Sequence, residues 1–316
     1  MRQGMVEFDF SDAMQNAKRN ARRRRYPSLH DSRVKADPGL ILPILRPRFK
    51  LRRGMRVFTL GSCFARNIEE KLTGFDLPTL GFKVPPSEWW ARPNGLLNEY
   101  NPGSMRDRIW SIRHGRETSE LIVPVLNGWV DLLLHSGSPV TKQRASERQQ
   151  EINNIYRELP KCDAVIITLG LIEAWFCKSK AAYLNQMPPI KVASESEGEY
   201  VLRQLDTAEA YDLLDQTISE IISFGIGRVI LTVSPVPLRS TFLEIDAVLA
   251  NSYSKCVLRV CAQRLYDKYR EVDYFPSYEI VTTSLGRSYE NDNIHVQDTV
   301  VEHITNYMME LYTDPQ

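Results

Sequence analysis

Three short apolar runs, each ended by a small residue and separated by stretches of helical periodicity, constrain this chain more than any other feature. They are Val57-Phe58-Thr59-Leu60, ending at Gly61; Ala164-Val165-Ile166-Ile167-Thr168-Leu169, ending at Gly170; and Arg228-Val229-Ile230-Leu231-Thr232-Val233, ending at Ser234-Pro235. Runs without polar alternation are strands covered on both faces, which is how a parallel sheet with crossover helices reads. The helical segments agree. Residues 65–72 place Ile68 and Leu72 one turn apart, and residues 207–224 carry Leu213, Leu214, Ile218, Ile221 and Ile222 at helical spacing. Residues 246–269 and 298–312 read the same way, with Asp298 as the expected N-cap of the last helix. The fold class this predicts is α/β.

Flanking composition divides the chain into an expected extension over residues 1–50 and a domain over 51–316. The extension holds the run Arg22-Arg23-Arg24-Arg25 and the prolines Pro38, Pro43 and Pro47. Four clustered arginines after a polar segment most often form a solvated face, so no function is assigned to them. Residues 85–146 break the strand–helix rhythm and contain Trp89, Trp90, Trp110 and Trp129. Such a segment is an elaboration beside the active face, with aromatics that either stack on sugar rings or pin long loops.

Charge excludes several partners. Forty basic and 39 acidic residues leave a formal charge of +1, so no global field favours nucleic acid. The five cysteines, Cys63, Cys162, Cys177, Cys256 and Cys261, form no C-x-x-C pair and suit a reducing compartment. The opening Met1-Arg2-Gln3-Gly4 starts no apolar leader and no run reaches membrane-spanning length, so a cytoplasmic location without a membrane span is expected. There is no dinucleotide or P-loop fingerprint and no H-E-x-x-H, so neither a cofactor nor a metal is expected.

In an open parallel sheet, ligands bind beyond the carboxyl ends of the strands. That rule nominates Gly61-Ser62-Cys63, Gly170-Leu171-Ile172-Glu173, Ser234-Pro235-Val236-Pro237 and the late Asn291-Asp292-Asn293-Ile294-His295. At the first, a hydroxyl and a thiol sit where a strand turns into a helix. Free N–H groups and the helix dipole there favour a thiolate or an oxyanion, although small residues also simply let a helix pack close. At the last, Asp292 stands three residues before His295 and is placed to orient its imidazole. His30 and His114 sit among arginines in irregular sequence, His135 ends an apolar run and His303 lies within the last helix. Ser252-Tyr253-Ser254-Lys255 satisfies S-x-x-K, but without the partner motifs of serine–lysine acyl transfer it reads as helix capping.

Together, these phrases resemble the GSCFA-domain proteins, a bacterial family grouped with the SGNH/GDSL hydrolases. The matching pieces run in order from about residue 57 to 296. They are Leu60-Gly61-Ser62-Cys63-Phe64-Ala65, Asn98-Glu99-Tyr100-Asn101-Pro102, Ile167 to Trp175, Thr232-Val233-Ser234-Pro235-Val236, Asn251-Ser252-Tyr253-Ser254-Lys255, Tyr274 to Ile280 and Asp292-Asn293-Ile294-His295. The resemblance implies a three-layer αβα domain with a five-stranded parallel sheet, flavodoxin-like in arrangement. It also implies an acyl esterase whose nucleophile is Cys63 or Ser62, Cys63 being favoured, with Asp292 and His295 as the acid–base pair. Gly95, preceded by Asn94, matches the expected oxyanion glycine. The third block departs from the family pattern, since Gly170 is followed by Leu171-Ile172-Glu173 and not by an asparagine; the alternatives are Asn101 as the donor or a hole built from backbone N–H groups. The implied substrate is a small acyl ester or an O-acylated carbohydrate. Acyl transfer to a glycan, and glycan binding without turnover, are the competing expectations.

Overall fold

The structure, a computed structural model, describes residues 6–20, 23–35, 37–115 and 118–314. Arg22 and the opening Met1 to Gly4 lie outside the described residues. The central sheet has four strands, β1 (Val57–Gly61), β2 (Ala164–Leu169), β3 (Val229–Val233) and β4 (Val272–Tyr274), in that spatial order and all parallel. The register pairs Thr59 with Ile166 and Ile166 with Ile230. Every residue of β1, β2 and β3 is buried, as expected of strands covered on both faces.

Alternate residues along each strand feed two separate cores, because strand side chains point to opposite faces. Phe58, Leu60, Val165, Ile167 and Leu231 join one cluster. It is completed by helices α2 (Pro102–His114), α3 (Lys142–Tyr156), α4 (Thr207–Ser223) and α5 (Ala247–Lys268). Val57, Ile166 and Ile230 join the other, with α1 (Cys63–Lys71), α6 (Ser277–Thr282) and α7 (Asp298–Tyr312). The result is a three-layer αβα sandwich. Leu40 and Leu51 belong to the second cluster, and Arg48 donates its backbone N–H to Asp273 at 2.9 Å, so residues 40–51 lie against the β4 side of the domain.

Among the described residues the sheet carries four strands where the resemblance implies five. Beside β1, the position a fifth would take is held by a single parallel bridge between Arg56 and Asp76. Pro78, opening a short 3₁₀ turn over Pro78–Gly81, ends pairing there, since proline brings no N–H to a ladder. Asp298 is the first residue of α7 and the cap position falls to Gln297, so the expected Asp298 cap is displaced by one residue. Asp246, not Ser252, caps α5: its carboxylate accepts the Val248 N–H at 2.8 Å, while Ser252 lies inside the helix. Two small antiparallel units stand apart from the main sheet, a hairpin of Ile122–Val125 with Gly128–Asp131 and a three-stranded sheet of Glu173–Cys177, Ala182–Leu184 and Tyr200–Gln204.

Candidate active site

Three segments interlock at the carboxyl ends of β1 and β2. Gly61 has φ +131°, and a Cβ there would lie 2.1 Å from the Thr168 carbonyl oxygen, so only glycine lets β1 end this close to β2. Its carbonyl accepts the Glu99 N–H at 2.8 Å, which brings Asn98–Asn101 alongside the turn. Gly170 meets the same crowding, as an added Cβ would sit 2.6 Å from the Tyr100 carbonyl oxygen and 3.4 Å from the Ser62 Cβ. The phrases around Gly61, Tyr100 and Gly170 therefore converge on one place.

Ser62 is the N-cap of α1 and Cys63 its first residue. Ser62 is 2% exposed, and its Oγ has no hydrogen-bond partner among the described residues. Cys63 is half-buried and faces a cavity of about 360 Å³. Burial pushes its thiol up, against the Tyr100 hydroxyl, the Lys255 and Arg92 charges and the Phe64 N–H, all of which favour the thiolate. Tyr100 is itself fixed on all sides. Its N–H donates to Asn185 Oδ1 at 3.0 Å, its hydroxyl accepts from Asn98 Nδ2 at 3.2 Å, and the His135 ring packs against its ring tilted by 43°, 4.3 Å between centroids.

Asp292 and His295 occupy the loop before α7, and His295 lines the same cavity. One carboxylate oxygen of Asp292 accepts the N–H groups of Ile294 at 2.9 Å and His295 at 3.0 Å, and the other lies 2.5 Å from His295 Nδ1. Those N–H donors, with the imidazole, hold the Asp292 carboxyl far below the usual carboxylate range. The bond to Nδ1 orients the ring and leaves Nε2 for chemistry. The His295 side chain is 65% exposed.

The remaining nominated residues divide. Gly170 and Glu173 line the cavity. The Glu173 carboxylate accepts from Thr241 Oγ1 at 2.7 Å and from the Phe242 N–H at 3.1 Å, which pins the loop after β3 over the cavity. Asn101 also lines it: Oδ1 caps α2 by accepting the Ser104 N–H at 2.8 Å, and Nδ2 gives one of its two N–H groups to the Leu184 carbonyl at 3.1 Å. Gly95 is not among the lining residues; its N–H donates to the Arg92 carbonyl at 2.8 Å and its α-carbon packs under the Trp89 ring, so the expected oxyanion role does not fit its position. Asn94 is likewise engaged, donating to Glu69 Oε1 at 2.8 Å. Trp89, Trp90, Trp110 and Trp129 are absent from the lining; the indole that reaches it is Trp175.

Sequence reasoning passed over Tyr100, His135 and Lys255, all of which line the cavity. Tyr100 and Lys255 stand inside phrases that carried the family resemblance, so the signal was present for those two. His135 has burial pushing its imidazole down and no acid beside it, and nothing local in the sequence marks it. No group of His, Cys, Asp and Glu side chains able to hold a metal occurs among the described residues. No helix among them is long and apolar enough to cross a membrane.

Comparison with known proteins gives one family match: the model of the GSCFA family aligns with residues 56–307. No curated protein matches the chain. Among solved structures, a catalytic mutant of Axe2, an acetylxylan esterase from Geobacillus stearothermophilus, is similar over 85% of this chain and 100% of that one, at 12% identity and a TM-score of 0.36. A likeness that slight carries no weight for the reaction.

Proposed function

The chain belongs to the GSCFA family, and from that premise we propose that it is an acyl-ester hydrolase of the SGNH type, acting on an O-acylated carbohydrate or similar small ester. One observation carries the reading: the turn bearing Ser62 and Cys63 and the oriented Asp292–His295 pair open into a single cavity at the carboxyl ends of the parallel strands.

In this reading the Cys63 sulfur attacks the ester carbonyl. Its partial exposure to the cavity supports it over Ser62, which is 2% exposed. The Sγ–C bond forms as the thiol proton passes, by way of water, to His295 Nε2, and the tetrahedral oxyanion meets the N-terminal N–H groups of α1, beginning with Phe64. The C–O bond then breaks and His295 gives a proton through Nε2 to the departing alkoxide. His295 next takes a proton from water, which attacks the thioester and releases the acid and the thiol. Asp292 holds the ring in the tautomer this requires. The lining mixes apolar side chains, among them Trp175, Leu184, Met187 and Phe242, with amides and hydroxyls. That mixture suits an acyl group attached to a polyhydroxylated carrier.

The competing reading, glycan binding without turnover, draws on a specific observation: Gly95, the backbone donor nominated for the oxyanion, gives its N–H to the Arg92 carbonyl and is not among the residues lining the cavity. The test is acid release from a small activated acetyl ester and from a panel of O-acetylated oligosaccharides. Full turnover by a protein carrying both Cys63→Ala and Ser62→Ala would sink the mechanism. Retained glycan affinity with no acid release from any ester would favour the binding module.

A further inference from the structure

Lys255 is the one buried residue of the cavity wall that the mechanism above leaves unused although it carries a titratable cation. It lies on α5, is 2% exposed, and points Nζ at the Gly170 carbonyl oxygen, 2.7 Å away. Ser254, next to it, accepts the Ile172 N–H at 3.2 Å, so the pair clasps the turn after β2 from both sides. No carboxylate among the described residues pairs with Lys255. Glu173 in the same cavity is occupied by Thr241 and the Phe242 N–H, and Arg239 and His295 belong to the cavity's other walls. What Lys255 does face, across Gly170, is the Ser62-Cys63 turn, since the Gly170 α-carbon packs against Ser62.

We propose that Lys255 is a positioning residue acting through Cys63, the buried counter-charge that sets the thiol's ionisation before substrate arrives. A buried ammonium without a carboxylate is costly unless an anion shares its site. Burial lowers the Lys255 amine to about 7, and the Cys63 charge is the group that pulls it back up. The two therefore titrate as a pair. Below neutrality the cavity holds thiol and ammonium. Loss of one proton leaves either thiol with amine or thiolate with ammonium, which differ only in whether the proton sits on sulfur or nitrogen and carry the same net charge. The second form is the nucleophile, and it becomes populated as the pair titrates, although burial alone would keep the thiol protonated to higher pH. Tyr100 donates toward the same sulfur, and Arg92 adds charge from further out while paired to Glu70 at 2.8 Å. Lys255 supplies the charge that no carboxylate neutralises.

This inference rests on reading Cys63 as the nucleophile, but its test reads the thiol and not the ester, so the two fail separately. Iodoacetamide alkylation of Cys63, followed by peptide mapping across pH 5.5 to 10 in a Cys256→Ser background, should show a step in rate near neutrality. Lys255→Met should lose that step and react at least tenfold more slowly at pH 7.5, whereas His295→Ala should keep it. A step that survives Lys255→Met, or that disappears in His295→Ala, overturns the proposal. Should Lys255→Met fold poorly, lysine labelled with carbon-13 at Cε decides the matter in the unaltered chain. The Lys255 signal should titrate near neutrality and move to lower pH in Cys63→Ala; a signal that titrates above pH 9, or ignores Cys63→Ala, contradicts it.

Discussion

Lys255 Nζ donates to the Gly170 carbonyl oxygen at 2.7 Å from a position with no carboxylate beside it among the described residues. The consequence for stability follows from where the proton goes. Folding lowers this amine to about 7, while the unfolded chain holds it near the ordinary lysine value of about 10.4. Between those values the unfolded state binds more protons than the folded state, so unfolding free energy rises with pH across that window, by up to ~1.4 kcal/mol per pH unit. Below neutrality the penalty is fully present. Denaturant titrations from pH 6 to 10 should show this rise in the wild type and a flatter profile in Lys255→Met.

Gly61 tests the turn itself. With φ +131° and the Thr168 carbonyl 2.1 Å from any added Cβ, Gly61→Ala must distort the join of β1 and β2. A loss of at least ~2 kcal/mol is expected, enough to lower the melting temperature by several degrees. Thermal unfolding measures it directly, and an unchanged melting temperature would mean that the turn relaxes freely.

Asp292 and His295 should behave in the opposite way. Their side chains are 45% and 65% exposed, so Asp292→Asn removes an orienting group from the surface and not from the core. Ester turnover is expected to fall roughly 10²- to 10⁴-fold. The denaturant midpoint should stay close to that of the wild type. Paired kinetics and denaturant titration separate those two effects.

Beneath the site, Arg66 and Glu69 form a buried ion pair at 2.6 Å, with side chains 1% and 0% exposed. Glu69 also accepts from Asn94 Nδ2 at 2.8 Å and from the Thr59 hydroxyl. Glu69→Ala leaves a buried guanidinium without its anion and should cost ~3–5 kcal/mol. Folding yield and denaturant midpoints measure it; a near-neutral result would mean water enters freely.

Glu173 governs the loop after β3 through Thr241 and the Phe242 N–H. In Glu173→Ala that loop should be cut faster by a broad-specificity protease between Leu238 and Ile245, and KM should rise more than kcat falls. Mass spectrometry of the limited digest identifies the cleavage site.

The sequence made the first three strands and helices α1, α4, α5 and α7 readable because their apolar residues recur at strand or helix spacing. It could not reveal the fourth strand, Val272–Tyr274, which is only three residues long and has no pattern of its own. The expected fifth strand fails for a local reason, the proline at 78. At the site, Cys63, Ser62, Asp292 and His295 were nominated from turn and loop positions, and all line one cavity apart from Asp292, which is bonded to His295. That Gly95 lies outside the cavity lining and packs under the Trp89 ring is a tertiary fact that spacing does not encode. The phrase from Ser252 to Lys255 reads as helix capping because the partner motifs of serine–lysine acyl transfer are missing; that α5 turns Lys255 inward onto Gly170 is visible only once the sheet is assembled.

The central claim is that acyl groups pass through the Ser62-Cys63 turn, and mass spectrometry of the protein during reaction with a small activated acetyl ester tests it most directly. Such an ester needs no protonated leaving group, so the wild type should show a transient acetyl adduct that maps to Cys63. The adduct should be absent from Cys63→Ala and should persist in His295→Ala, where the water step is lost. A folded protein that shows no adduct at Cys63 or Ser62, or one that turns over the ester undiminished without either residue, would contradict the account.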